Sequence, residues 1–492
     1  MKNKVQLIVY AERLGGVSFQ TLNHVLAGEG GALSSIFGAV HILPFYESIH
    51  GIDAGFDPAN HMQVDQTLGT WSDVAALSAK LDVMADVIVN HVSNVSPEFL
   101  DFSKHGQQSR YAGLFLTRNT VFPNGLSDAD KALIYRPRPT SAFTEVALAC
   151  GEQHALWTTF TSSQIDIDVA HPQGRAYLLG ILDRLAQNGV HLVRLDAVGY
   201  AVKKAGTSCF MLPETFAFID DLSAQARARN IEVLVEVHSH YQTQIDIARR
   251  VDWVYDFALP PLLLHALFTG NATALKAWLA IRPTNAVTVL DTHDGIGIID
   301  IGADKKSKRP GLVSDAELDA LVERIHLESQ GQSRLATGAA ASNLDLYQVN
   351  CTYFDALGRD AQKYLIARAV QFFAPGVPQV YYVGLLAGEN DIDLLAKTKV
   401  GRDINRHYFT ADELARDLQK PVVQALLRLI KLRNSHPAFA GQFSVQASSE
   451  TSLVMQWLLG DEHALLEVDF AACRAGLVYT TPQGLQSFQG FI

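Results

Sequence analysis

Eight short apolar runs, each followed by turn residues and then by a helical periodicity, constrain this chain more than any other feature. They fall at residues 5–10, 39–45, 86–91, 191–196, 232–237, 252–257, 286–291 and 377–383. Their β-branched, near-continuous apolar character suits strands buried on both faces of a parallel sheet. Between them the spacing turns helical. Ser72 is placed to cap a helix carrying Val74, Leu77 and Leu81. Leu178, Ile181, Leu182 and Leu185 repeat at i, i+3, i+4 and i+7, with Gly189 where a helix C′ glycine belongs. Phe216, Ile219 and Leu222 repeat the pattern, as do Val423, Leu426, Leu427 and Ile430. Eight strand–helix units predict an α/β fold, a (β/α)8 TIM barrel.

Two connections are too long for a plain barrel. Long structureless loops are rare in compact domains, so these are expected to be inserted subdomains. The division predicted is a barrel from residues 1–85, 168–291 and 358–435, an inserted domain B at 86–167, and a second insert, B′, at 292–357. After residue 435 the helical pattern stops. Phe443, Val445, Leu453, Val454 and Trp457 then alternate with turn residues, which reads as a small C-terminal β domain over 436–492.

Composition narrows the partners. A net charge of −11 disfavours nucleic acid and anionic membrane, both of which need a basic face. Charged residues are 18% of the 492, below the usual figure of about 25%, in keeping with a large filled core. The longest apolar stretch, 257–268, contains Pro260, Pro261 and His265, so no membrane span is expected. Cys150, Cys209, Cys351 and Cys473 form no CxxC and no framework. With the short apolar run at 5–10, they predict a reducing, cytoplasmic setting without a secretory leader. A homodimer is left open.

Three strand-like runs end in acids: Asp196 in GVHLVRLDAVGY, Glu236 in IEVLVEVHSHY and Asp294 just after AVTVLDTH. Strand C-termini face the active-site mouth of a barrel. Three acids converging there suit cleavage of a glycosidic bond through an oxocarbenium-like transition state. Any one of them alone is equally a helix cap or a turn residue. Arg194 lies two residues before Asp196, on the same strand face, where a guanidinium favours the ionised carboxyl. His238 stands in the matching relation to Glu236, and His238–Ser239–His240 is also readable as a zinc-binding HxH given further ligands.

The ordered set NH (Asn90–His91), RLDAV, EVH and THD resembles that of the α-amylase superfamily, glycoside hydrolase family 13. HILPF, DAGFDP, IYRPRP, GTSCF, VYDFALPPLLLHAL, TGAAASNLDLYQVN, PGVPQVYYVG and GRDINRHY resemble its sucrose phosphorylase branch, from Lys2 to about Pro437. The resemblance implies a retaining transfer of glucose from sucrose to inorganic phosphate, giving glucose 1-phosphate and fructose, without cofactor or metal. It implies Asp196 as nucleophile, Glu236 as general acid/base and Asp294 as transition-state stabiliser. Asp53, Phe56, His91, Gln164, Arg194, Tyr200, His238, His293, Asp345, Gln348 and Arg402 are implied around the sugars, and Arg138 and Tyr347 at phosphate. Related phosphorylases of sucrose 6′-phosphate or glucosylglycerol, a sucrose hydrolase, and a catalytically silent barrel are the alternatives. The intact acid trio speaks against the last.

Overall fold

The computed structural model describes residues 1–49, 54–137, 140–305, 307–336 and 348–491. Eight parallel strands close into a barrel: β1 (Gln6–Val9), β2 (Ala39–Ile42), β3 (Asp82–Ile88), β4 (Leu192–Asp196), β5 (Glu232–Val235), β6 (Trp253–Asp256), β7 (Ala286–Thr288) and β8 (Val377–Tyr381). Each pairs with its neighbours in chain order, and β8 closes on β1. All eight expected strands are present. The expected runs overshoot most strands at their C-terminal ends, because there the chain leaves the sheet to build the mouth: Glu236 follows β5 directly and Asp291 lies past β7.

One boundary differs. β3 begins at Asp82, so a border between barrel and insert at residue 85 falls inside a strand. The helical spacing that ran through Leu81 had hidden its start. A second difference concerns the cap of the preceding helix, Trp71–Ser78. Thr70, in a capping box with Asp73, does the capping, and Ser72 lies inside the helix. The helix Pro172–Gln187 buries Leu178, Ile181, Leu182 and Leu185 on one face, and Gly189 follows it at φ +75°, where a side chain would be strained.

The barrel interior is not purely apolar. Gln6, His41, Asp86, Arg194 and Gln379 are all at most 2% exposed, and Gln379 donates to Gln6 Oε1 at 2.8 Å. Buried polar groups are tolerated when paired, and here the paired ones lead up to the mouth.

Between β3 and β4 the chain forms a pair of short strands, His91–Ser93 with Gln164–Asp166, the helix Pro97–His105 and the hairpin Phe143–Ala147/Gln153–Trp157. Trp157, Leu116, Phe122, Ile134 and Ala142 give this region a small core of its own. Lys203, 2% exposed, fastens it to the barrel, with its ammonium 2.7 Å from Asp166, 3.0 Å from Asn90 Oδ1 and bonded to the Tyr200 carbonyl. Between β7 and the helix Ala361–Phe373 lie Ile296–Gly297, paired with Gln348–Val349, and the helix Asp315–Glu328. The C-terminal region, Gln442–Gln489, is a five-stranded antiparallel sheet. It docks through Trp457, whose indole N–H donates to the Phe373 carbonyl at 2.8 Å. Among the described residues no helix is long and apolar enough to cross a membrane.

Candidate active site

Strand register assembles the centre of the mouth. β4 lies beside β3 with Arg194 opposite Asp86. The Arg194 guanidinium donates to Asp86 Oδ1 at 2.5 Å and to Asp196 Oδ1 at 2.8 Å, and its other arm stands 3.8 Å from Glu236 Oε2. His41, from β2, holds the second Asp86 oxygen at 2.9 Å. Ala197, directly after Asp196, sits in the left-handed region at φ +54°, a conformation that costs an alanine energy. That turn directs its N–H to Glu236 Oε2 at 3.4 Å. Asp196 and Glu236 are thus tied through one guanidinium and one backbone amide.

Asp294 closes the group from the β7 side. Arg402 stands 3.0 Å from its Oδ1, and His293 Nε2 is 3.6 Å from Oδ2. Phe56 lies flat on His293, with ring centroids 4.6 Å apart and planes at 7°. The Phe56 carbonyl accepts from His91 at 2.8 Å and from the Gln164 amide at 3.2 Å. His238 packs flat on Phe257 with its Nε2 3.6 Å from Glu236 Oε1.

Burial dominates the electrostatics. It pushes the Asp196 carboxyl well above the usual carboxylate range; Arg194 opposes it, and the charges of Glu236, Asp86 and Asp294 push the same way as burial. Arg194 pulls Asp196 towards its ionised form, but burial outweighs it, and the guanidinium is shared with Asp86, which the sequence reading did not include. Asp294 differs: burial would raise its carboxyl, but Arg402 above all, with His238, overcomes it and holds it far below the usual range. Burial also keeps His293 neutral, its pKa well below that of an exposed histidine.

Phe56, His91, Asp196, Tyr200, Glu236, His238, His293, Asp294, Gln348 and Arg402 line one cleft, with Arg194 beneath them and Gln164 behind His91. Asp53, Arg138, Asp345 and Tyr347 lie outside the described residues. The sequence reading missed Tyr135, Phe160 and Phe210, which line the same cleft. Their rings form a cluster with Tyr200, with centroids 4.7–6.1 Å apart. The signal was present in IYRPRP and GTSCF, whose aromatic members are brought together when Tyr135 N–H bonds the Ser208 carbonyl at 2.8 Å. Ligand atoms of Glu236, His238 and Asp294 come within 4.8 Å of one another, a spacing that would admit a cation. Arg402 on Asp294 and Arg194 near Glu236 already supply positive charge there.

Residues 36–252 match the α-amylase catalytic domain. The chain is 58% identical to the sucrose phosphorylase of Agrobacterium vitis, covering 96% of both chains. It is 53% identical to that of Bifidobacterium adolescentis over 93% of this chain and 90% of the relative. A crystal structure of sucrose 6F-phosphate phosphorylase from Thermoanaerobacter thermosaccharolyticum superimposes with a TM-score of 0.91 at 37% identity, covering 100% of this chain and 98% of that one. Eight consecutive barrel strands, acids at the ends of the fourth, fifth and seventh, and identity of this extent place the chain in the sucrose phosphorylase family of the α-amylase superfamily.

Proposed function

We propose that the chain transfers glucose from sucrose to inorganic phosphate with retention of configuration, releasing fructose and α-glucose 1-phosphate. The observation that carries the reading is the shared guanidinium. Arg194 bonds Asp196 and reaches Glu236, while Asp294 faces the same cleft with its own cation. That places two acids about one guanidinium, and one fixed anion, around a space lined for a sugar ring by Phe56 and His293.

In the first half-reaction Asp196 attacks the anomeric carbon of the glucosyl unit. Glu236 gives its proton to the fructosyl oxygen as that bond breaks, and fructose leaves. The developing positive charge on the ring is offset by Asp294, whose carboxyl stays ionised beside Arg402. In the second half-reaction an oxygen of hydrogen phosphate displaces Asp196 from the glucosyl ester, and Glu236 takes up the phosphate proton, which restores the acid lost to fructose. The Tyr135, Phe160, Tyr200 and Phe210 rings pack together along the cleft and offer a wall against which a sugar can lie. We assign Arg138 and Tyr347 to phosphate, and Asp345 with Gln348 to the fructosyl hydroxyls. Gln348, whose side-chain oxygen accepts the Gly295 N–H at 3.3 Å, is neutral, which favours fructose over a phosphorylated sugar. The test is incubation with sucrose in the presence and absence of phosphate. Glucose 1-phosphate that forms only with phosphate supports the reading. Free glucose as the main product under both conditions assigns a hydrolase instead.

A further inference from the structure

His238 stands between two carboxylates. Its Nε2 is 3.6 Å from Glu236 Oε1 and its Nδ1 is 3.6 Å from Asp300 Oδ2. Phe257 fixes the ring plane by stacking at a centroid distance of 3.9 Å and an angle of 16°. Asp300, in the short turn Ile299–Ile301, is fully buried. Its Oδ1 accepts from the Ser239 N–H at 3.2 Å and from the Gln244 amide at 2.8 Å. Its Oδ2 has no hydrogen bond among the described residues and faces the imidazole. The close approach depends on Gly297, where a Cβ would stand 2.8 Å from Asp300 Oδ2 and 3.3 Å from His238 Nδ1. The charged groups around the ring are Glu236 past β5, Asp294 past β7 and Asp300, with Arg194 and Arg402 behind the first two.

We propose that Asp300 is a positioning residue for the acid/base group: it keeps His238 as an imidazolium with Nε2–H directed at Glu236. The inference rests on the reading of Glu236 given above and extends it to the anionic acceptor. Once Asp196 is esterified its charge is gone, and Glu236 must serve as a carboxylate while phosphate approaches. Two negative groups then share a buried cleft, and an adjacent imidazolium offsets them. Burial would drive the imidazole toward its neutral form, but Asp300, then Glu236 and Asp294, overcome this and hold it at about 9.

Asp300→Asn tests the assignment, since the amide oxygen can still accept from Ser239 and Gln244 while the charge facing His238 is removed. The alkaline limb of kcat for phosphorolysis is expected to move down by about one pH unit or more, and phosphorolysis to fall further than hydrolysis. Equal loss of both rates at every pH, with the limb unmoved, would overturn the proposal. A second readout needs no sucrose cleavage. In full-length enzyme with isotope-labelled histidine, the resonance absent from His238→Gln is expected to titrate near 9 and to drop by at least about one unit in Asp300→Asn. Identical titration in both would overturn the proposal even for an active phosphorylase. A missing glucose 1-phosphate product with the titration shift intact would overturn the function alone. Should Asp300→Asn not fold, Gly297→Ala wedges the same pair apart, and the same downward shift is expected; no shift there refutes the assignment.

Discussion

Replacing Asp86 by asparagine removes a charge shielded from solvent, yet one that holds Arg194 and, through it, the proposed nucleophile Asp196. Asp86 is fully buried and accepts from Arg194 at 2.5 Å and from His41 at 2.9 Å. An amide in its place accepts on one side only and turns its N–H groups toward a second donor. Breaking a buried ion pair from one side costs about 3–5 kcal/mol. For 492 residues the unfolding entropy is about 1 kcal/mol per kelvin, so a fall in Tm of about 3–5 °C is expected. The sign of the pH dependence follows from the folded-state carboxyl. Burial raises it, but Arg194 and His41 overcome burial and hold it below the ordinary value. Its stabilisation is therefore present above about pH 4 and is lost as pH falls through the folded value. Asp86→Asn should lower Tm at neutral pH and narrow the gap to wild type in acid. Arg194, released on one side, should also orient Asp196 less well. Losing one charge-assisted hydrogen bond of about 1.5–3 kcal/mol from the transition state predicts a ten- to hundredfold lower kcat. Thermal melts across pH and initial rates on sucrose check both. A variant that loses stability while keeping full kcat would refute the view that Asp86 acts through Arg194 on catalysis.

Asp196→Asn should abolish sucrose cleavage and leave the fold intact, because the amide is nearly isosteric but not nucleophilic; circular dichroism beside a rate assay checks it. Arg138→Ala should slow transfer to phosphate about ten- to hundredfold and spare glucosyl–enzyme formation, so that hydrolysis takes a larger share of product; both rates measured on one sample decide it. Lys203→Met should leave Asp166, fully buried, without its cation and cost about 3–5 kcal/mol, read as a lower Tm.

The fold was legible where apolar period and strand length agree. All eight strands were found because their runs are too short for helices and too apolar for an open sheet. The start of β3 was not, because Leu81 continues a helical spacing that Ser78 in fact ends. At the site, the strand-end acids were legible from position, and Arg194 from the two-residue period. Asp86 was not. A lone acid at the head of an apolar run gives no sign of its partner, and only the strand register shows that it faces Arg194. The aromatic cluster of Tyr135, Phe160, Tyr200 and Phe210 was hidden for the same reason, since its members come from three distant segments. Asp300 carries no signal in the sequence, and only its distance to His238 marks it.

The central claim is a covalent glucosyl–Asp196 intermediate, and trapping it is the most direct test. In Glu236→Gln, an activated glucosyl donor such as α-glucosyl fluoride needs little acid help to react with Asp196, while the resulting ester lacks the base that would discharge it. Intact-mass and peptide mass spectrometry should then find one dehydrated glucosyl unit on the peptide that carries Asp196, removed by added azide as α-glucosyl azide for lack of any need for a general base. A glucosyl unit on another residue, or azide product of inverted configuration at the anomeric carbon, would contradict the account.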